Sequence, residues 1–318
     1  MIKALRILIK DVCFYSSIFG FVNALKLRVV PKICETLGLG TYYHFYNKTM
    51  ILLLKEEFKD IIDRYRQLKK NIETPFSQSS IIWVCWWQGE DQMPQMIKQC
   101  YYSLCKNSNG HQVVLLTNKN YMEYISLPEI VLEKHKKGLI STAHLSDVLR
   151  LSLLSKYGGL WIDSTYWVTL PIDIDGKYFY SIKQEIIKEA NISGFLWTCH
   201  LMGCGSPYLI YAFCAECMIR HISIHVKIAH YLMQDYIIRI AYDEFPEFRQ
   251  IIDELPYLDD NIYYCQDHFN DRITPEIIEQ VISTRFHKLN RGGVYKEITV
   301  SGEPTLFSFF MNWKVTSH

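Results

Sequence analysis

The residues best suited to chemistry lie between Ser146 and Thr165. There the chain reads Ser146-Asp147-Val148-Leu149-Arg150, then Tyr157-Gly158-Gly159-Leu160-Trp161-Ile162-Asp163-Ser164-Thr165. Asp147 and Arg150 are three apart, so on one helix they share a face. On a solvated helix such a pair is a weak surface ion pair. Here Leu149, Leu151, Leu153 and Leu154 make most of the helix apolar, which draws both charges toward the interior. A buried carboxylate and guanidinium need partners, and a polyhydroxyl ligand supplies them. Gly158-Gly159 permits a tight turn and close backbone approach. Asp163 ends a short apolar run, where it can meet a ribose, a diphosphate or a divalent ion.

The elements that must position these residues alternate in type. Ile81 to Trp86 and Val113 to Thr117 read as buried strands, and Leu160 to Asp163 as a third. Between them, Pro94 opens a helix with Met96, Ile97, Cys100 and Leu104 on one face, and Thr142 to Lys156 is helical. Shorter helices surround Tyr121 and run from Pro128 to Lys137. Such alternation predicts an α/β domain with a mostly parallel sheet, whose ligands bind beyond the carboxyl ends of the strands. Asp163 stands at such an end. Farther on, strands are expected near Phe179 and over residues 194–198, a Gly-rich loop over 203–206, and helices over 207–220 and 225–241. Upstream, a helix is expected from Thr49 to Lys70, and Thr74 to Ser80 reads as a linker. The division is then an N-terminal helical segment, residues 1–73, and a main domain, residues 80–318.

Composition narrows the class. A chain of 318 residues, 49% hydrophobic and 21% charged, is globular. Its 34 basic and 33 acidic residues nearly cancel, which argues against a nucleic-acid partner. The 14% of aromatic residues serve either as core or as platforms for sugars and bases. There is no P-loop, no G-x-G-x-x-G after a strand, no H-E-x-x-H and no G-x-S-x-G, against an NTPase, a dinucleotide enzyme, a zincin and an α/β-hydrolase. The 10 cysteines are scattered, and Cys214-x-x-Cys217 has no second pair, so they read as buried free thiols of a reducing cytosol. No small-residue cleavage site follows the first apolar run, so no signal peptide is expected. Residues 1–32 carry Lys3, Arg6, Lys10, Lys26, Arg28 and Lys32 against Asp11 alone. The uncharged run between Asp11 and Lys26 is too short for a bilayer, which needs roughly 20 residues. This segment either lies in the headgroup region at the inner face of the cell membrane or packs on the protein's own body.

The stretch S-D-x-x-R followed by Y-G-G-x-[YW]-x-D-x-[DT], Ser146 to Thr165, resembles the capsular polysaccharide synthesis proteins. These are related to glycosyltransferases that include yeast mannosyltransferases and, more distantly, the clostridial glycosylating toxins. Ile82 to Pro94 resembles that family's first strand and nucleotide-binding loop, with Trp86 and Gln88 as candidate donor contacts. Leu115 to Asn118 and Phe286 to Leu289 extend the likeness over roughly residues 80–290. The resemblance implies a GT-A fold (a Rossmann-like, mixed and mostly parallel sheet flanked by helices) and a retaining hexosyltransferase. The donor would be a nucleotide sugar, UDP-linked by family frequency, and the acceptor a lipid-linked or growing surface saccharide. It places Asp147 and Arg150 on the donor sugar's hydroxyls, Trp161 beside the nucleotide or sugar, and Asp163 as the first carboxylate of D-x-D. The second carboxylate is replaced by Thr165, although Mg²⁺ and Mn²⁺ favour anionic oxygen. The implied metal, Mn²⁺ or Mg²⁺, would then rest on Asp163, Thr165 and His287. Lys288 or Arg291 would face the diphosphate. Gly203, Gly205 and Ser206 resemble a loop near the reacting centre, and Asp235 a carboxylate near the anomeric carbon or acceptor. The alternative is a catalytically impaired nucleotide-sugar or glycan-binding protein. A nucleotidyltransferase would need a Gly-rich loop with a basic residue after the first strand, and Trp86 to Glu90 is not one.

Overall fold

The computed structural model describes residues 2–68, 81–173, 179–184, 191–205, 208–257 and 261–313. The expected linker, Thr74 to Ser80, lies outside them, as does Ser206.

The site is carried by a five-stranded sheet. β1 (Ile81–Cys85) runs parallel to β2 (Gln112–Leu116) on one side and to β3 (Gly159–Ile162) on the other. β6 (Leu201–Cys204) pairs antiparallel to β3, and β5 (Tyr180–Ser181) antiparallel to β6, giving the order β2-β1-β3-β6-β5. Four of the five strands therefore point one way and β6 alone is reversed. A two-stranded antiparallel ribbon, β4 (Tyr166–Val168) with β7 (Phe286–Lys288), follows β3 closely.

Helices cover the sheet. α6 (Gln95–Lys106) and α9 (Thr142–Tyr157) connect the first three strands, with the short α7 (Tyr121–Tyr124) and α8 (Glu129–Lys136) between them. α9 starts at Ser141, whose hydroxyl accepts from the His144 amide at 3.2 Å, and it ends at Gly158 with φ +66°. Leu149, Leu151, Leu153 and Leu154 are fully buried, as their spacing requires. The second glycine has a separate task. A Cβ at Gly159 would lie 2.4 Å from the Ile81 carbonyl oxygen, so only glycine lets β3 pass so close to β1.

The sequence pattern misplaced one strand. Residues 194–198 form no strand, a turn covering 192–195, and the strand begins at Leu201. Gly203 lies inside β6, and not in a loop, because a Cβ there would stand 2.3 Å from the Gly159 carbonyl oxygen. Its smallness serves strand packing, a requirement that looks like loop chemistry in sequence.

The N-terminal residues form α1 (Ile2–Phe19), α2 (Phe21–Arg28), α3 (Val30–Thr36), α4 (Tyr42–Glu57) and α5 (Lys59–Leu68). The single helix expected over Thr49 to Lys70 is broken at Phe58. Tyr46, Met50 and Leu54 make a stripe on α4, and with Ile61, Ile62 and Tyr65 they join one hydrophobic cluster with α9, α10 (Leu209–Ile224) and α11 (Met233–Glu244). Ion pairs fasten the edges: Lys55 to Glu244 at 2.6 Å and Arg220 to Asp60 at 2.7 Å. Glu57 accepts from His221 Nδ1 at 2.8 Å and from His225 Nε2 at 2.9 Å. The remaining helices are α12 (Pro246–Asp253), α13 (Tyr264–His268), α14 (Pro275–Ser283) and α15 (Leu306–Asn312). Among the described residues no helix is long and apolar enough to cross a membrane. The described cysteines are free thiols, and Cys13 and Cys105 are exposed, not buried as expected.

Candidate active site

Three routes lead side chains to one edge of the sheet. β1 and β3 end there, delivering Trp86 to Gln88 and Asp163. β6 runs the other way and so starts there, which brings in Cys199 and His200, with the Asp163 amide donating to the His200 carbonyl at 2.9 Å. The ribbon supplies the third route, since pairing of β7 with β4 sets Lys288 opposite Tyr166. Together with the first residues of α11 and the face of α9 that carries Ser146, Asp147 and Arg150, these segments line a cavity of about 760 Å³. That is within the usual ligand-site range of about 300–1,000 Å³.

Asp163 is the hub of the polar floor. Its Oδ1 accepts from Trp161 Nε1 at 2.9 Å and from Arg150 at 3.2 Å, and its Oδ2 from Lys288 Nζ at 3.1 Å. Burial pushes this carboxyl up, but Lys288 and then Arg150 outweigh it and hold it well below the usual carboxylate range. Arg150 also donates to the Cys199 carbonyl and, at 3.0 Å, to Gln234 Oε1, and its guanidinium lies 4.9 Å from the Trp161 ring centroid. Asp147 is 3.6 Å from Arg150, too long for a hydrogen bond. Burial therefore dominates there. Arg150 opposes it, the nearby Asp163 and Asp235 charges add to it, and the Asp147 carboxyl is pushed up to about 7. Asp235 Oδ1 accepts from Trp197 Nε1 at 3.1 Å and from Cys199 Sγ at 3.0 Å, and burial raises this carboxyl also.

Two buried donors of lining residues, Trp86 Nε1 and Arg150 Nε, have no partner among the described residues. Arg291 lies 5.7 Å from the Trp86 ring centroid, adding a third cation to the lining.

The family profile for capsular polysaccharide synthesis protein matches residues 42–303, most of the chain. The chain belongs to that family. No curated protein matches its sequence. As a capsular polysaccharide synthesis protein it takes part in making capsular polysaccharide, and its family region begins at the first residue of α4 and includes the whole cavity.

In this capsular polysaccharide synthesis protein Trp86, Gln88, Asp147, Arg150, Trp161, Asp163, Thr165, Asp235 and Lys288 all line the cavity. Trp161 is only 2% exposed, so it acts mainly by holding Asp163 and Arg150. Three expected residues are not brought together with these. Gly203 is inside β6, and Gly205, just beyond it, is outside the cavity lining; the Gly203–Ser206 stretch is therefore not a lining loop over its described part. His287 is fully buried, with Nε2 3.0 Å from the Val281 carbonyl and Nδ1 3.1 Å from Cys265 Sγ. Side chains alternate along a strand, so once Lys288 faces the cavity His287 must face the core. Burial pushes His287 down to about 4.

The expected metal set of Asp163, Thr165 and His287 is not assembled. Without His287, one carboxylate and one hydroxyl of that set are left, and both accept from the Lys288 ammonium, at 3.1 Å and 2.6 Å, so a divalent ion there would meet a positive charge already in place.

Sequence reasoning missed Cys199, His200, Gln234, Tyr231 and Tyr263. His200 Nδ1 is 2.6 Å from the Tyr166 hydroxyl, and burial, helped by Lys288, pushes this imidazole down to about 3, against the opposing Asp163 charge. The signal available was Trp197-Thr-Cys-His200, polar groups placed just before an apolar run. Assigning the strand to residues 194–198 hid it.

Proposed function

We propose that this protein is a retaining GT-A glycosyltransferase. It moves a hexose from a nucleoside-diphosphate sugar, uridine diphosphate favoured, to a lipid-linked or growing capsular saccharide. The observation carrying this reading is the convergence of Asp147, Arg150, Asp163, Asp235 and Lys288 on one cavity at the carboxyl edge of β1 and β3. Carboxylates and a planar guanidinium suit sugar hydroxyls, and the cations suit a diphosphate. During transfer the bond between the anomeric carbon and the diphosphate oxygen breaks, leaving its electron pair on that oxygen. The acceptor oxygen bonds to the carbon, and its proton passes to the departing diphosphate. Asp235, held by Trp197 and Cys199, is suited to stabilise positive charge developing on the sugar. Tyr231, 68% exposed at the cavity rim, offers an acceptor sugar a flat face.

The N-terminal helices supply the membrane contact in this reading, at the cytoplasmic face. Tyr15, Ala24 and Leu27 are buried against the body, while Phe21, Val22, Val30 and Ile33 are exposed among the exposed basic residues Arg6, Lys10 and Lys26. Tyr46 of α4 lies 6.0 Å from His230, beside the rim residue Tyr231. A lipid-linked acceptor held at that surface would reach the cavity over this rim.

Thr165 in place of a second carboxylate favours one other reading, a sugar-nucleotide binder without turnover. Incubation of the purified protein with a panel of nucleotide sugars separates them. Release of free nucleoside diphosphate from one donor supports the transferase, and tight binding without release would establish the binder.

A further inference from the structure

We propose that the Lys288 ammonium takes the place of the divalent cation between Asp163 and Thr165, so that a nucleoside diphosphate is held there without a metal; this rests on the donor reading above. The first observation is position. Lys288 Nζ bridges Asp163 Oδ2 at 3.1 Å and Thr165 Oγ1 at 2.6 Å, the two positions from which a D-x-D pair would grip an ion. An ion bound to Asp163 Oδ2 at about 2.1 Å would lie beside an ammonium 3.1 Å from that same oxygen. Like charges that close in a half-buried site repel strongly.

The second observation is the chemistry of Thr165. A neutral hydroxyl is a poor partner for Mg²⁺ or Mn²⁺ and a good acceptor for an ammonium N–H. The missing carboxylate and the lysine therefore form one device. A second carboxylate would call for a divalent charge, whereas one carboxylate and one hydroxyl are matched by a single positive charge. Among the described residues the one set of three His, Cys, Asp or Glu groups at metal-binding separation is Glu57, His221 and His225, and it does not line the cavity. That set is saturated without an ion. The Ala229 amide donates to His221 Nε2 at 3.1 Å, so Nδ1 carries the proton and gives it to Glu57 in a hydrogen bond.

The third observation is that Lys288 is anchored yet not sealed. Its backbone is fixed by pairing with Tyr166 and by its amide donating to the Ile262 carbonyl at 2.7 Å, and 18% of its side chain faces the cavity. An ammonium has three N–H donors, two of which go to Asp163 and Thr165. The third is left for a phosphate oxygen. As the glycosidic bond breaks, Lys288 stabilises the charge growing on the diphosphate and transfers no proton.

The test is calorimetric titration of the full chain with UDP, GDP and CDP, in EDTA and in Mn²⁺, for wild type and Lys288→Met. We expect at least one nucleotide to bind wild type with affinities in EDTA and Mn²⁺ that agree within about twofold, and Lys288→Met to lose about 10- to 100-fold, the worth of a charged hydrogen bond. A double variant, Lys288→Met with Thr165→Asp, should bind the nucleotide only with Mn²⁺. Wild-type binding that disappears in EDTA and returns with Mn²⁺ overturns the inference and leaves the donor reading standing. Failure of all three nucleotides under both conditions overturns the donor reading and the inference with it. Should either variant fail to fold, the wild-type comparison decides alone.

Discussion

Trp161 donates its indole N–H to the carboxylate of Asp163, two residues farther along, at 2.9 Å. Residues two apart on a strand point to the same side, so the bond follows from β3 continuing straight into Asp163. The ring simultaneously lies under the Arg150 guanidinium. One buried tryptophan thus orients both partners of the central ion pair. Trp161→Phe keeps an aromatic face but removes the donor and leaves a cavity where the rest of the indole packed. The expected loss is about 2–3 kcal/mol of stability, with a larger proportional fall in donor turnover, as a positioning residue requires. Chemical denaturation and donor-hydrolysis rates measure the two; turnover equal to wild type would reduce Trp161 to core packing.

Arg150→Lys should be severe although charge is conserved. The guanidinium reaches the Cys199 carbonyl, Gln234 and Asp163 at once, and a point charge on a flexible stem cannot. Donor affinity is expected to fall about 10-fold or more, with a lower melting temperature from the carbonyl and amide left without partners. Unchanged affinity for every nucleotide sugar that wild type binds would exclude Arg150 from the donor site.

Asp147 carries a cost in the unliganded protein. Its carboxyl sits at about 7 in the folded chain against an ordinary 3.8. Between these values the folded state binds more protons than the unfolded one, so this group's contribution makes stability fall as pH rises from about 4 to about 7. Asp147→Asn removes that slope. The variant should melt above wild type at about pH 8, with the gain shrinking toward about pH 5, while donor turnover is lost. A melting difference that does not change with pH would place the ionisation elsewhere.

The membrane reading is tested on the N-terminal face without deleting it, because Tyr15, Ala24 and Leu27 are part of the core. Phe21→Ser with Val22→Ser removes exposed apolar surface, and Lys10→Glu with Lys26→Glu reverses exposed charge. Both pairs should lower sedimentation with anionic phosphatidylglycerol vesicles, and the charge pair should lose its effect at high salt. Equal sedimentation of both variants and wild type would remove the membrane from the proposal.

By itself the sequence determined the elements whose signals are local. The buried run Ile81–Cys85, the leucine-rich helix ending at Gly158, and Asp163 at the end of β3 were all legible, because periodicity and glycine placement act over a few residues. The Asp147–Arg150 pair was legible for the same reason. What only the tertiary structure decided depends on pairing between distant segments. Lys288 and Thr165 are 123 positions apart, and the register of β7 on β4 brings them together. That register also sends His287 into the core, because neighbours on a strand face opposite ways and a sequence motif cannot say which one faces in. Asp235 was a candidate through the family resemblance alone, and what holds it, Trp197 and Cys199 from the segment before β6, only the tertiary structure brings to it. Gly203 looked like loop chemistry, yet it is the price of packing β6 against β3, a steric demand that exists only once both strands are in place.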